Sequence, residues 1–135
     1  MNYWLVKSEP NVYAWEQFQT DKVAVWDGVR NYLARNNLRA MQKGDLVLFY
    51  HSNIGLEVVG IAKVKKTGFP DPASPDQWTA VELVPYKKLK HPVSLKKMKN
   101  CPELSNMGLI RQSRLSVSAL TEDEFNKVLL LSQEN

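Results

Sequence analysis

The chain has 135 residues, of which 44% are hydrophobic, and its formal net charge is +4 at pH 7. A chain of this length and composition can close one hydrophobic core without metal ions or disulfides, so residues 1–135 are expected to form a single domain. The single cysteine, Cys101, excludes an intramolecular disulfide, and one cysteine with two distant histidines excludes a standard zinc site.

The first part of the chain reads as short strands alternating with short helices. Residues 3–6 are apolar and indicate a buried strand, and the turn after them leads into a helix with Val12, Trp15 and Phe18 on one face. Residues 22–26 are β-branched and apolar, which predicts a second strand. Asp27 is then placed to cap a second helix.

The rest of the chain continues the same pattern. Residues 46–50 and 56–65 predict an antiparallel hairpin, and Gly60 within it suggests a β-bulge. Strands are expected at 78–84 and 114–117, Ser94 caps a short helix, and Thr121 with Glu124 forms a capping box for a closing helix. Several short strands interrupted by helices indicate the α+β class, with a small mixed barrel as the expected architecture.

A search for catalytic motifs finds no nucleophile elbow, P-loop, Rossmann glycine pattern or H-E-x-x-H sequence. His51 and Ser52 are adjacent, and adjacent residues of a regular strand point to opposite faces. The carboxylates Asp27, Asp45 and Asp71 lie at expected caps and turns. We therefore expect no enzyme; the alternative is a nuclease or hydrolase that uses His51 with Asp71 or Lys7.

Aromatic residues stand beside polar and cationic ones in two places. Trp26 precedes Asp27 and residues 30–32, and Tyr50 precedes residues 51–53. A planar base is held by stacking on aromatic rings while polar groups contact its edge. Two interpretations of Trp26 stay open, as a ligand-facing residue beside Gly28 or as a core residue, whereas Trp78 at the head of a strand is interpreted as core.

Basic residues are clustered in three stretches, at positions 30–39, 63–66 and 87–99. These clusters either contact phosphates or form an ordinary solvated surface. The residues chosen as candidate phosphate ligands are Arg35, Arg39, Lys87 and Lys88.

Seven blocks of this sequence resemble, in order, the signature blocks of the EVE domain family. They are residues 3–10 (YWLVKSEP), 26–32 (WDGVRNY), 34–39 (ARNNLR), 43–45 (KGD), 50–53 (YHSN), 60–62 (GIA) and 114–117 (RLSV). The resemblance implies a PUA-like fold, a bent mixed or antiparallel β-barrel decorated by short helices. It also implies binding of modified bases, with methylated or hydroxymethylated cytosine in DNA first and modified RNA second.

The resemblance further implies a base-binding pocket. Its residues would be Lys7, Ser8, Trp26, Arg30, Asn31, Tyr50, His51, Ser52 and Arg114. In this hypothesis Trp26 and Tyr50 stack on the base; the groups that read its edge are Ser8, Asn31 and Ser52, and those that engage a phosphate or carbonyl are Lys7, Arg30 and Arg114. At the position of Leu33 the family usually has a glutamine, so the resemblance leaves the ligand preference of this chain open.

The expected partner is therefore nucleic acid, with no cofactor and no metal ion. No basic region followed by an apolar stretch begins the chain, and no apolar run is long enough to span a bilayer, so a soluble, cytoplasmic monomer is expected. A small-molecule or protein-interaction module with incidental basic patches is the remaining alternative. It differs in predicting no salt-dependent oligonucleotide binding.

Overall fold

The computed structural model describes residues 1–134, in which six strands and short helices form a mixed α+β structure. The strands are β1 (Tyr3–Ser8), β2 (Ala24–Trp26), β3 (Leu46–His51), β4 (Glu57–Pro70), β5 (Thr79–Ser94) and β6 (Val117–Leu120). The α-helices are α1 (Trp15–Asp21), α2 (Tyr32–Ala40), α3 (Leu95–Lys99), α4 (Gly108–Arg111) and α5 (Glu122–Leu131), and a 3-10 helix covers Pro102–Leu104. The predicted α+β class is confirmed.

All six strands belong to one sheet with the order β2-β5-β4-β3-β1-β6. Only β1 and β3 pair in parallel, and the other neighbours are antiparallel. Within residues 1–134 the edge strands β2 and β6 are not hydrogen-bonded to each other, so the sheet is mixed, as expected, but is not closed into the expected barrel. Helix α2 packs against β6, and the side-chain amide of Asn37 donates to the Val117 carbonyl oxygen at 2.7 Å. The Val117 carbonyl group of edge strand β6 thus has a hydrogen-bond partner on a helix side chain.

The predicted bulge in β4 is present and has a packing reason. Phe49 pairs with Gly60 and Tyr50 with Val58, so one residue of β4 is extra at this point. A Cβ atom on Gly60 would lie 2.5 Å from ring atoms of Trp15, which is far inside van der Waals contact. Glycine is therefore required at the point where the Trp15 indole packs against β4.

Two hydrophobic clusters pack on the two faces of the sheet. Along β3, Val47 and Phe49 belong to the first cluster, whereas Leu48 and Tyr50 belong to the second. This alternation follows from the two-residue period of a strand. The first cluster also holds the rings of Trp15 and Phe18 and borders the candidate site.

Helix starts differ in how well the sequence predicted them. Ser94 caps α3, and Thr121 with Glu124 forms the predicted capping box of α5. Asp27 does not cap α2, because the side-chain oxygen of Asn31 accepts the Ala34 N–H at 3.0 Å instead. The last strand begins at Val117 rather than at 114. Among the described residues, no helix combines the length and apolar character needed to cross a membrane.

Candidate nucleic-acid interface

A cleft of about 630 Å³ lies where the sheet stays open. It is lined by the end of β1, the turn after it, strand β2, the loop at 27–30 and Ser116, which immediately precedes β6. Its volume is within the range of small-molecule sites, roughly 300 to 1,000 Å³. The edge strands β2 and β6 are not hydrogen-bonded to each other, and we call the gap between them the open seam. This gap forms a cavity of suitable size for a planar ligand.

Trp26 forms one wall of the cleft and is held by aromatic contacts. Its ring meets Phe49 edge-on at a centroid distance of 5.6 Å and Tyr13 at 6.3 Å. The side chain is half-buried and lines the cleft at the same time. Trp26 thus packs on the first core cluster and presents part of its surface to the cavity, and its contact with a ligand stays a prediction.

Tyr13 is a lining residue that the sequence analysis missed. Its hydroxyl donates to Asp21 Oδ2 at 3.0 Å, and the Ser8 hydroxyl donates to the Tyr13 carbonyl oxygen. Burial, followed by the hydrogen bond and the charge of Asp21, raises the pKa of Tyr13 to about 12. Tyr13 therefore stays a neutral phenol, fixed at the wall of the cleft beside Trp26.

The loop that carries Arg30 is fastened by a buried carboxylate. Asp71 Oδ2 accepts from the Gly28 N–H at 2.9 Å and from Arg30 Nη1 at 3.0 Å, and its side chain is fully buried. Its Oδ1 accepts from the Ala73 N–H at 2.8 Å. Burial alone would raise the pKa of Asp71, but these hydrogen bonds and the Arg30 charge together hold it below its ordinary value.

Lys7 and Ser8 supply polar groups at the end of β1. Lys7 Nζ donates to the Ser113 carbonyl oxygen at 2.7 Å, and burial lowers the pKa of Lys7. Ser8 is buried and lines the cleft with its neighbour Lys7. The structure therefore brings four of the nine predicted pocket residues together: Lys7, Ser8, Trp26 and Arg30.

The YHSN block does not line the cleft. Tyr50 is only 2% exposed and packs in the second core cluster, so it lies on the face of β3 opposite Phe49. His51 Nε2 accepts the backbone N–H of Trp15 at 3.1 Å, and the Ser52 N–H donates to the Ser8 carbonyl oxygen at 2.9 Å. Of these bonds, that of Ser52 reaches a residue of the cleft lining, Ser8. Strand alternation turns Tyr50 to the opposite face of the sheet, and His51 and Ser52 bond elsewhere, so none of the three lines this cleft. Their part in base binding stays a prediction.

Two further predicted residues also lie outside the cleft lining. Asn31 is used as the N-cap of α2, and Arg114 is exposed in the turn before β6. The catalytic alternative of His51 with Asp71 or Lys7 is not assembled either. His51 bonds to Trp15, Asp71 bonds to the Arg30 loop, and Lys7 bonds to the Ser113 carbonyl oxygen. No cluster of three or more potential metal ligands occurs among residues 1–134.

The candidate phosphate ligands fall into two separate places. Arg35 and Arg39 lie one turn apart on α2 and donate to the Gln77 carbonyl oxygen, each at 3.3 Å. Lys87 and Lys88 are exposed on β5 and border a different depression of about 330 Å³. The backbone N–H of Arg35 donates to the carbonyl oxygen of Asn31, which directly follows the loop that Asp71 fastens.

Comparison with known proteins gives matches along nearly the whole chain. The family model of the EVE domain matches residues 2–131. The crystal structure of a protein from Agrobacterium tumefaciens has a TM-score of 0.94 and 43% identity, covering 98% of this chain and 93% of that one. Thymocyte nuclear protein 1 of Mus musculus is 34% identical over 98% of this chain and 74% of that protein.

A further match has a ligand. The crystal structure of the human THYN1 protein in complex with DNA containing 5-methylcytosine has a TM-score of 0.92 and 32% identity, covering 100% of this chain and 99% of that one. The structure of ASCH from Zymomonas mobilis, at 12% identity and a TM-score of 0.61, is similar in fold alone.

Proposed function

Because this chain belongs to the EVE domain family, we propose that it is a non-enzymatic module that binds a modified cytosine of DNA in the cleft beside Trp26. The observation that carries the proposal is the cleft itself, an open seam of about 630 Å³ with an aromatic wall and polar groups at its rim. The human THYN1 protein, whose structure contains 5-methylcytosine DNA, supports the choice of ligand. Modified RNA is the second candidate.

In the proposed complex the base stacks on Trp26, which Tyr13 and Phe49 hold in a fixed orientation. Stacking on an aromatic side chain contributes about 1 to 3 kcal/mol per base. Because Trp26 is already packed on the core, little side-chain entropy is lost when the base arrives. The cleft is thus preorganised on its aromatic side.

Polar groups at the rim would contact the base edge and the phosphate. The Ser8 oxygen retains lone pairs that can accept a hydrogen bond from an exocyclic amine, and edge strand β2 has backbone groups on its unpaired side. Arg30 and Lys7 supply positive charge next to these acceptors. The apolar lining residues Val12, Val23 and Val25 are available to a 5-methyl group.

The proposal includes the absence of catalysis and a PUA-like relationship. Supporting the first, His51 and Asp71 are each engaged in structural hydrogen bonds rather than with each other. The second is supported by the fold, which is similar to that of ASCH even though the sheet is open. We also propose that residues 1–135 act as one domain, since both core clusters share one sheet.

The test is a calorimetric titration of the protein with 5-methyl-2′-deoxycytidine, 2′-deoxycytidine and matching short oligonucleotides, which measures each affinity. Trp26→Ala is expected to weaken binding of the methylated ligand by about 5- to 150-fold, the equivalent of one lost stacking contact. Tyr86→Ala is the matched control, because Tyr86 is 57% exposed and lies outside the cleft lining. Equal affinity of wild-type protein and Trp26→Ala, with both folded by circular dichroism, would refute the proposal.

A further inference from the structure

A second aromatic surface lies next to the cleft, on α2 and the loop before β5. The rings of Tyr32 and Trp78 are stacked, with centroids 5.2 Å apart and an interplanar angle of 18°. Tyr32 is 59% exposed, and Trp78 is half-buried instead of lying in the core as the sequence suggested. We call Tyr32 and Trp78 the aromatic platform. A stacked pair at the surface leaves aromatic area in contact with solvent.

Arginines surround the aromatic platform. The Arg35 guanidinium carbon lies 4.9 Å from the Tyr32 ring centre and 5.9 Å from that of Trp78, and the Arg30 carbon lies 5.4 Å from Trp78. Arg39 follows Arg35 one turn later on the same face of α2 and donates to Thr79 Oγ1 at 2.9 Å. Cations and π-systems are thus combined on one surface.

The charges of Arg35 and Arg39 are not neutralised within the protein. Their hydrogen-bond acceptors are the Gln77 carbonyl, the Asn36 amide oxygen and the Thr79 hydroxyl. Throughout the described chain, no carboxylate oxygen lies within 4.0 Å of either guanidinium. An anionic partner from outside is therefore the complement of this surface, and exposed aromatic rings beside unneutralised arginines match a base and its phosphate.

Arg30 connects the platform to the cleft. Its side chain lines the cleft, forms the ion pair with Asp71 and lies over the Trp78 ring. Arg30 is thus shared by the cleft and the platform, and this shared residue is the geometric basis for assigning the two surfaces to successive nucleotides of one strand.

Resting on the proposed function, we propose that the aromatic platform stacks the unpaired base next to the modified cytosine, while Arg35 and Arg39 hold the phosphate. A neighbouring base is free to stack there only when it is not stacked in a duplex. The ligand of this chain is therefore a single-stranded segment, with the modified base in the cleft and its neighbour on Tyr32.

The test uses four ligands: 5-methyl-2′-deoxycytidine, a single-stranded heptanucleotide with a central 5-methylcytosine, the same heptanucleotide in a duplex, and the single strand with an unmethylated central cytosine. Tyr32→Ala is expected to weaken binding of the single strand by about 5- to 150-fold and to change nucleoside binding by less than about twofold. Tyr86→Ala is the matched control, because it makes the same substitution at a tyrosine that is 57% exposed and lies outside the cleft lining. Wild-type protein is expected to prefer the single strand over the duplex.

An unchanged affinity of Tyr32→Ala for the single strand, an equal loss for strand and nucleoside, or a duplex bound as tightly as the single strand overturns the inference. Arg35→Gln is a second variant on the exposed helix face, and it is expected to lower the salt dependence of strand binding by about one phosphate contact. The same salt dependence of strand binding in Arg35→Gln and in wild-type protein would also overturn the inference. Failure of the proposed function has a different signature, namely equal affinity for methylated and unmethylated heptanucleotides in every variant.

Discussion

Asp71→Asn is expected to destabilise the protein and to loosen the loop that carries Arg30. The carboxylate accepts three hydrogen bonds in a fully buried position, from the N–H groups of Gly28 and Ala73 and from Arg30. An asparagine oxygen can replace only one carboxylate oxygen, so its NH₂ group faces at least one N–H donor. Losing one hydrogen bond to a charged group and leaving a donor unpaired costs about 2 to 3 kcal/mol.

Thermal unfolding followed by circular dichroism at pH 7 measures this cost. For a chain of this size, each kcal/mol shifts the midpoint by about 3 to 5 °C, so the expected decrease is roughly 6 to 15 °C. Asp76→Asn is the matched control, because Asp76 is an exposed carboxylate in the same loop. An equal, small shift for both variants would show that the buried carboxylate does not stabilise the fold.

The pH dependence gives a second check on Asp71. Its pKa is lowered in the folded protein, so its stabilising contribution is complete above the ordinary value of 3.8 and is lost as the pH falls through the folded pKa. The difference in stability between wild-type protein and Asp71→Asn should therefore narrow below pH 3.8. A difference that stays constant from pH 7 to the acid limit would refute the assigned role.

Two further predictions concern the core behind the cleft. Gly60→Ala should destabilise by about 1 to 3 kcal/mol or more, because its Cβ would lie 2.5 Å from the Trp15 ring; Gly68→Ala, with its nearest atom at 3.1 Å, should cost less in the same denaturant titration. Burial lowers the pKa of His51, so its stabilising contribution is complete above pH 6.5 and is lost as the pH falls toward the folded pKa. Urea midpoints should decrease across this range in wild-type protein more than in His51→Gln, and parallel decreases would contradict the role of the Trp15 hydrogen bond.

Local signals in the sequence predicted local structure well. The capping box at Thr121 and Glu124, the cap at Ser94 and the bulge at Gly60 all depend on residues close together in the chain, and all are present. For Trp26 the local pattern, an aromatic strand end beside a glycine, left a ligand-facing and a core position both open, and the residue lies at the cleft wall while it packs on the first core cluster. Such features are set by hydrogen bonds and sterics within a few residues.

Features that depend on distant partners were not predicted. Asp71 lies 43 residues from Gly28, so its role in fastening the loop could not be read from its own surroundings. Tyr50 was expected in the cleft because polar residues follow it, but alternation along β3 directs its ring into the second core cluster. The open seam likewise depends on the pairing order of all six strands.

The cleft and the aromatic platform depend on the same buried carboxylate. Asp71 binds the Gly28 N–H at the cleft and Arg30, which lies over Trp78 at the platform, while its own N–H donates to the Trp78 carbonyl oxygen at 2.9 Å. When a ligand binds to a mobile loop, the conformational entropy lost in ordering the loop reduces the binding affinity. Here the loop is ordered in advance by the charge-assisted hydrogen bonds of Asp71, so the proposed ligand would meet a loop that is already in place.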